Sequence, residues 1–221
     1  MMKLYDTQRS GNAWKIRLLA GLLNIPLERV TLSIKRGDLD DPEFLKRSPL
    51  GMVPILELKD GCTIGESIAI LQFLALGTPW WPVAALDQAY VLMWLSFEQS
   101  QHMHPLAQLR LHLSLRRDRG AGDEDMVRFK AEAEHALHLL DEQLARQGRS
   151  GWIATQTHPS IADVALYPYT RLASMGGIDL ETFQNLPPWL ARIESLPGYQ
   201  PLFSGRYDLN FATIEMAGKT K

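Results

Sequence analysis

The segment that decides the fold lies between residues 48 and 56 and reads Ser48-Pro49-Leu50-Gly51-Met52-Val53-Pro54-Ile55-Leu56. Pro54 stands at the start of an apolar run with strand character, and a proline that opens a strand has no N–H group for the sheet ladder. A cis Val53–Pro54 bond is one solution, which would turn the backbone of Val53 outward, where an extended peptide could pair with it. Most X-Pro bonds are trans, so the step predicts a peptide-binding edge only together with its surroundings.

Short extended and helical patterns alternate on both sides of this segment. The patterns predict strands at residues 3–6, 30–34, 53–58 and 61–64, and helices at 12–23, from 41 onward and at 66–76. Asp60-Gly61 has the composition of a tight turn, so the last two strands form a hairpin. The order β-α-β-α-β-β-α predicts a small α/β domain over residues 1–78.

A connection rich in proline and glycine, Gly77 to Pro82, separates this part from one that is almost wholly helical. Its neighbouring tryptophans, Trp80 and Trp81, favour a loop anchored in a surface. Helices are predicted at 87–115, with a kink at His104-Pro105, and at 123–146, 160–175 and 187–196. The second domain is therefore expected to be all-helical and to cover residues 86–210.

Composition limits the classes of function. The chain has 221 residues and a formal net charge of −2, which favours a folded protein and argues against a nucleic-acid binder. Its one cysteine, Cys62, excludes an intrachain disulfide and a four-cysteine zinc site. No apolar run reaches the roughly 18 residues of a membrane span, and the N-terminus lacks a signal-peptide pattern. We expect a cytoplasmic protein without a metal, nucleic-acid or membrane partner.

A polar pair stands where the helix after the predicted hairpin begins. Glu66 and Ser67 follow Gly65 at this point. The exposed N–H groups of a helix start attract a carboxylate, the Ser67 hydroxyl can add a hydrogen bond, and Glu66 can pair with an ammonium group. Together they would hold both charges of one free amino-acid end. Plain helix capping is the alternative interpretation.

The whole chain resembles the cytosolic glutathione transferases, especially bacterial members close to the theta, nu and beta-like groups. The resemblance covers about residues 2–205 and depends on the order and spacing of several loose motifs. These are Leu4-Tyr5-Asp6 with Ser10-Gly11-Asn12-Ala13-Trp14-Lys15-Ile16-Arg17, Ser48 to Pro54, Gly65 to Leu71, Phe97-Glu98-Gln99-Ser100, and Pro159 to Ala165. The resemblance implies a thioredoxin-like N-terminal domain and an all-helical C-terminal domain.

The resemblance also implies glutathione as the co-substrate. In the family, the cis-proline motif pairs with the cysteinyl backbone of glutathione, which here places Val53 and Pro54 beside it. The glutamate-serine pair holds the γ-glutamyl end, which here means Glu66 and Ser67. These four positions are the predicted glutathione-binding residues.

Ser10 and Asn12 are the candidate catalytic residues, because the family places a hydroxyl or an amide near the start of the first helix, facing the glutathione sulfur. The thiolate is the nucleophile, whereas a free thiol has a pKa near 8.5. A hydrogen bond to a charged group contributes roughly 1.5–3 kcal/mol, which lowers the thiol pKa by roughly one to two units. Either side chain can supply that bond, and a turn leading into a helix is the alternative interpretation.

The sequence departs from the family pattern at two places. Some relatives carry a cysteine near the start of the first helix, and its absence here excludes a mixed disulfide between that region and glutathione. Many relatives carry a lysine, contacting the glycine carboxylate, where this chain has Met52. Lys35 or Arg36 could take its place.

The resulting prediction is a glutathione transferase that conjugates the thiolate to a small electrophilic, apolar substrate in detoxification. That substrate is expected between the N-terminal domain and the helix around residues 94–106. The resemblance implies a homodimer, in which Glu98 and Gln101 would reach the neighbouring subunit's glutathione. The alternatives are reduction of disulfides through bound glutathione and a non-catalytic binding or regulatory module on the same fold.

Overall fold

The computed structural model describes residues 1–202. Its strands are β1 (Met2–Asp6), β2 (Leu27–Thr31), β3 (Ile55–Glu57) and β4 (Thr63–Ile64). Its α-helices are α1 (Gly11–Leu22), α2 (Pro42–Leu45), α3 (Ser67–Ala75), α4 (Ala85–Phe97), α5 (Met103–Leu109), α6 (Glu124–Gln147), α7 (Ile161–Arg171) and α8 (Leu186–Glu194). Stretches of π-helix, Glu98–His102 and Arg110–Arg116, flank α5.

The described strands form one mixed sheet in the order β2-β1-β3-β4. β1 runs parallel to β2 and antiparallel to β3, and β3 pairs antiparallel with β4. Because side chains alternate along a strand, Leu4 and Leu56 enter the main core together with α1 and α3, while Tyr5 and Ile55 face Phe44 of α2 on the other side. This is the thioredoxin-like domain that the sequence predicts.

The helices from α4 onward form the predicted all-helical domain. α6 follows the predicted pattern closely, with Asp123 at its N-cap position. α7 begins at the capping box that Ser160 and Asp163 form, and both of these side chains are buried. The predicted connection is anchored as expected, because Trp80 is buried and its carbonyl accepts a hydrogen bond from the backbone of Ile161.

The long helix predicted over residues 87–115 is divided in the structure. A π-helical stretch, Glu98–His102, lies immediately before Met103, where α5 begins. Pro105 has no N–H group for the carbonyl of Gln101, and wider π turns commonly accommodate such a break. Glu98, the first residue of this stretch, follows the buried Trp94 and Leu95 of α4 at helical spacing and is itself buried.

Other boundaries differ from the prediction in smaller ways. β2 ends at Thr31, so Ile34 is not part of the strand; it begins a short 3₁₀ turn and is exposed. β3 begins only at Ile55, after the Val53–Pro54 step. The predicted domain limits 1–78 and 86–210 stay predictions, and residues 203–210 lie outside the described residues.

Within residues 1–202, no helix has the length and apolar character needed to cross a membrane.

Candidate active site

A cavity of about 300 Å³ opens at one end of the sheet domain, where α1, the loop before β3 and the start of α3 converge. It contains predicted residues from three separate motifs, namely Asn12, Val53 with Pro54, and Glu66 with Ser67. The remaining lining residues are Arg47, Ser48, Pro49, Leu50, Met52, Ile55, Thr63 and Gly65. The structure thus brings together side chains that lie up to 55 positions apart (12 to 67) in the sequence.

The loop from Ser48 to Pro54 forms one wall of the cavity. The buried Ser48 hydroxyl accepts a hydrogen bond from the Met52 backbone N–H and donates one to the Met52 carbonyl, both at 2.9 Å. This closes the loop and leaves the Met52 side chain exposed. The Val53–Pro54 bond is cis, which is the alternative that the family resemblance implied.

Glu66 and Ser67 form the opposite wall. Glu66 has φ 62° and ψ 119°, a strained conformation for a residue other than glycine, and its side chain makes no capping hydrogen bond to α3. Strain of this kind concentrates at functional sites. Ser67 is the first residue of α3 and is buried against the cavity. The capping interpretation therefore does not account for Glu66.

Ser10 and Asn12 occupy different places at the start of α1. Ser10 is the N-cap residue, and its hydroxyl oxygen accepts a hydrogen bond from the Ala13 N–H at 3.1 Å. Asn12 lines the cavity, and its Oδ1 atom is buried without a hydrogen-bond partner among residues 1–202. The sequence left the choice between them open, and in the structure only Asn12 belongs to the cavity wall.

Arg47 lines the cavity although no sequence motif predicted it there. Its Nε donates to Glu57 Oε2 at 2.7 Å and its Nη1 to the Glu43 carbonyl at 2.7 Å. The guanidinium beside Glu57 holds the pKa of that carboxyl below its usual range. Lys35 and Arg36, the predicted substitutes for a lysine at position 52, do not line the cavity. The only sequence signal for Arg47 was its position just before Ser48.

Glu98 faces inward instead of toward a neighbouring subunit. Its carboxylate lies 2.7 Å from the Lys15 ammonium group of α1, and both side chains are fully buried. Gln99 donates a further hydrogen bond to Glu98. Burial lowers the pKa of Lys15, and the Glu98 carboxylate opposes that shift. The expectation that Glu98 reaches the neighbouring subunit's glutathione is therefore wrong, because Glu98 is buried in an ion pair between the two domains of its own chain.

The cavity has the parts to bind a peptide-like anion. The helix start at Ser67 offers N–H groups to a carboxylate, Glu66 offers a negative charge to an ammonium group, and Asn12 places an amide at the start of α1. Within the described part of the chain, no group of three or more His, Cys, Asp or Glu side chains could hold a metal ion. Cys62 is exposed on the hairpin, and the Asp60 carboxylate raises the pKa of its thiol.

Comparisons with known proteins agree on one family. The family model described as "Glutathione S-transferase, N-terminal domain" matches residues 9–76. A solved glutathione S-transferase from Pseudomonas fluorescens has a TM-score of 0.86 and 35% sequence identity, over 91% of this chain and 98% of that one. A glutathione S-transferase-like protein from Aspergillus aculeatus is 30% identical over 81% of this chain and 86% of its own. A maleylacetoacetate isomerase from Rhizobium meliloti is 28% identical over 80% and 84%, respectively.

Proposed function

The chain belongs to the glutathione S-transferase family, and on that premise we propose that it binds glutathione in the cavity between α1, β3 and α3 and transfers the thiolate to a small electrophile. The observation that carries this proposal is that Asn12, Val53, Glu66 and Ser67 all line one cavity, whose volume is about 300 Å³. The placement within the theta, nu and beta-like groups remains part of the proposal.

In this proposal the γ-glutamyl end of glutathione binds at the start of α3. Its carboxylate takes hydrogen bonds from the Ser67 hydroxyl and the first N–H groups of the helix, and its ammonium group pairs with Glu66. The cysteinyl backbone pairs with the backbone of Val53, which lies beside the same cavity. One free amino-acid end and one extended peptide unit are thereby recognised together.

The glycine carboxylate is assigned to Arg47. This side chain lines the cavity, and its Nη2 is not used in the hydrogen bonds that Nε and Nη1 make to Glu57 and Glu43. Because the Glu57 pair fixes the guanidinium, a carboxylate would meet a pre-positioned donor. Arg47 then takes the role of the lysine that Met52 replaces.

Asn12 is the residue we assign to the sulfur. Its carboxamide lies on the cavity wall at the N-terminus of α1, and the partial positive charge of that helix end also favours a thiolate. Ser10 contributes mainly by capping α1. The thiolate then attacks an electrophilic, apolar substrate, and no covalent enzyme intermediate is required.

A homodimer is the proposed assembly. Leu86, Tyr90 and Met93 recur at helical spacing along α4, and their side chains are 64%, 46% and 51% exposed. An apolar stripe of this kind suits a second copy of the chain, placed as the family resemblance implies. Sedimentation at micromolar concentration should give the mass of two chains.

A second candidate activity is glutathione-dependent cis–trans isomerisation, which the similarity to maleylacetoacetate isomerases favours. Thiolate addition to a double bond, rotation and elimination would return glutathione unchanged. The two activities differ in stoichiometry: conjugation consumes one glutathione per product, whereas isomerisation consumes none. Disulfide reduction would instead convert glutathione to its disulfide.

Calorimetric titration of the full chain with glutathione tests the binding proposal. The parent should release heat at millimolar ligand, and Ser67→Ala should weaken binding about tenfold, because a hydrogen bond to a carboxylate is lost. Ser100→Ala, which removes an exposed hydroxyl bonded to its own helix, should bind like the parent. No heat with the parent would refute both enzyme activities, and a non-catalytic module would remain.

A further inference from the structure

The turn that leads into α1 is held by side chains of the helical domain. Arg110 Nη1 donates a hydrogen bond to the Arg9 carbonyl at 2.9 Å, directly before Ser10. The ring and hydroxyl of Tyr169 of α7 lie against Gly11, and the hydroxyl faces the backbone of Asn12. The helical domain thus contacts this turn at both ends, near residue 9 and near residue 12. We call this pair of contacts the grip.

Gly11 makes the close approach of Tyr169 possible. A Cβ atom at this position would lie 2.7 Å from Tyr169 Cζ and 3.0 Å from its hydroxyl oxygen. Contacts that short do not occur for real side chains, so any larger residue would push Tyr169 away from the turn. The glycine therefore serves the contact between the domains, in addition to any role in the turn itself.

Within residues 1–202, the positive charge of Arg110 has no carboxylate partner. Its side chain is 4% exposed, and Nε and Nη2 are buried without hydrogen-bond partners in the described chain. No carboxylate of residues 1–202 pairs with it; the charged or titratable groups facing it are Arg9 and Tyr169. Burial lowers its pKa to about 10, so it is still a cation at neutral pH. A buried charge without a partner destabilises the folded state, so a functional role for Arg110 would explain why the fold retains it.

Tyr169 does not neutralise this charge. Burial raises its pKa to about 12, so its hydroxyl keeps the proton at neutral pH. The other charged groups around it are Lys15, whose ammonium lies 5.6 Å from the ring centroid, and Glu98, which pairs with that ammonium. Because Lys15 and Glu98 compensate one another, the charge of Arg110 is not balanced by the described residues around Tyr169.

We propose that Arg110 and Tyr169 are positioning residues for the glutathione thiolate: they fix the turn at residues 9–12 from the helical domain, and Arg110 supplies an uncompensated positive charge behind the sulfur. The thiolate is then the missing counter-charge of Arg110. This inference rests on the proposed function for its ligand, whereas the grip on the turn exists without ligand.

The grip is tested first in the ligand-free chain, by amide hydrogen exchange at Asn12. Tyr169→Phe should accelerate exchange of this amide severalfold, because the hydroxyl that faces it is removed and the turn opens more often. The matched control is Tyr167→Phe in the same helix, which removes the hydroxyl's hydrogen bonds with Glu194 and Tyr199. Equal exchange in the two variants would overturn the grip.

The charge is tested by titrating the thiol in the glutathione complex, followed by thiolate absorbance. Arg110→Met should raise the pKa of the bound thiol by about one unit, which lowers the thiolate fraction up to tenfold. Arg110→Lys should restore most of the shift, and kcat should fall while KM for glutathione stays within about twofold. A thiol pKa unchanged in Arg110→Met would overturn the charge role. A parent that binds no glutathione would refute the proposed function, and hydrogen exchange would still decide the grip.

Discussion

Mild acid should destabilise the fold through one buried imidazole, His102. Its Nε2 lies 2.8 Å from Thr170 Oγ1, and the Thr170 hydroxyl already donates to the Leu166 carbonyl. Thr170 must therefore accept, so Nε2 carries the proton and Nδ1 is bare; Nδ1 is also buried without a partner among the described residues. Burial, reinforced by the Lys15 charge, lowers the pKa of His102 to about 3.

The size of the effect follows from linkage between protonation and folding. The unfolded chain takes up a proton at His102 as the pH falls through about 6.5, whereas the folded chain stays neutral until about pH 3. Stability is therefore lost as the pH falls, by about 1.36 kcal/mol per unit between these values. From pH 7.5 to pH 5 the loss from His102 amounts to about 2 kcal/mol.

Urea unfolding of the parent and of His102→Gln across this pH range measures the effect. Glutamine can still donate to Thr170 but does not titrate. The stability of the His102→Gln variant should therefore fall about 2 kcal/mol less than that of the parent. His135→Gln, which replaces an exposed histidine, should follow the parent. Parallel curves for the parent and His102→Gln would refute the buried, neutral state of this imidazole.

Further predictions concern the start of α1, the ion pair of Lys15 with Glu98, and the capping box at the start of α7. Asn12→Ala should raise the pKa of the bound glutathione thiol by about one unit. Ser10→Ala should lower the unfolding free energy by about 1 kcal/mol and shift the thiol pKa less. A pH–rate profile in which Ser10→Ala shifts the thiol pKa more than Asn12→Ala would show that Ser10 contacts the sulfur. Lys15→Met should lower the unfolding free energy by about 3–5 kcal/mol, because Glu98 is left buried and unpaired. In urea unfolding, the double variant Lys15→Met with Glu98→Leu should recover most of that loss. A double variant no more stable than the single one would contradict this. Ser160→Ala should lower the unfolding free energy by about 1 kcal/mol with no change in glutathione affinity, and an altered affinity would count against its purely structural role.

The order of elements in the sheet domain was predictable because its signals are local. A period of two marks a strand and a proline marks its start, so β1, β3 and the hairpin follow from short stretches of sequence. β2 was placed too late, since Leu32 still packs beside Tyr5 and Phe44 after the strand has ended. Apolar alternation reports burial, which continues past the last ladder hydrogen bond.

The partners of inward-facing polar side chains were not predictable from periodicity. Glu98 follows the buried Trp94 and Leu95 at helical spacing, which places it on the inner face of α4. Only the packing of α1 against the helical domain shows that Lys15 is its partner. The contacts of Arg110 and Tyr169 with the turn before α1 depend likewise on how two domains pack. Sequence spacing carries no information on such contacts, so the sulfur-facing turn was found from its motif but its support was not.

The cavity residues were predictable to the extent that they belong to motifs. The Val53–Pro54 step and the helix start at Glu66 and Ser67 could be found in the sequence, and the family resemblance then implied their roles. For the start of α1 the resemblance left Ser10 and Asn12 as alternatives. Arg47 belongs to none of these motifs, and its place in the wall follows from the hydrogen bonds that fold α2 against β3.

A crystal structure of the full chain with bound glutathione tests the central claim most directly. We expect the γ-glutamyl carboxylate on the Ser67 hydroxyl, the cysteinyl backbone paired with Val53, and the sulfur within hydrogen-bond distance of the Asn12 carboxamide. A tripeptide bound outside this cavity, or one whose sulfur points away from the start of α1, would contradict it.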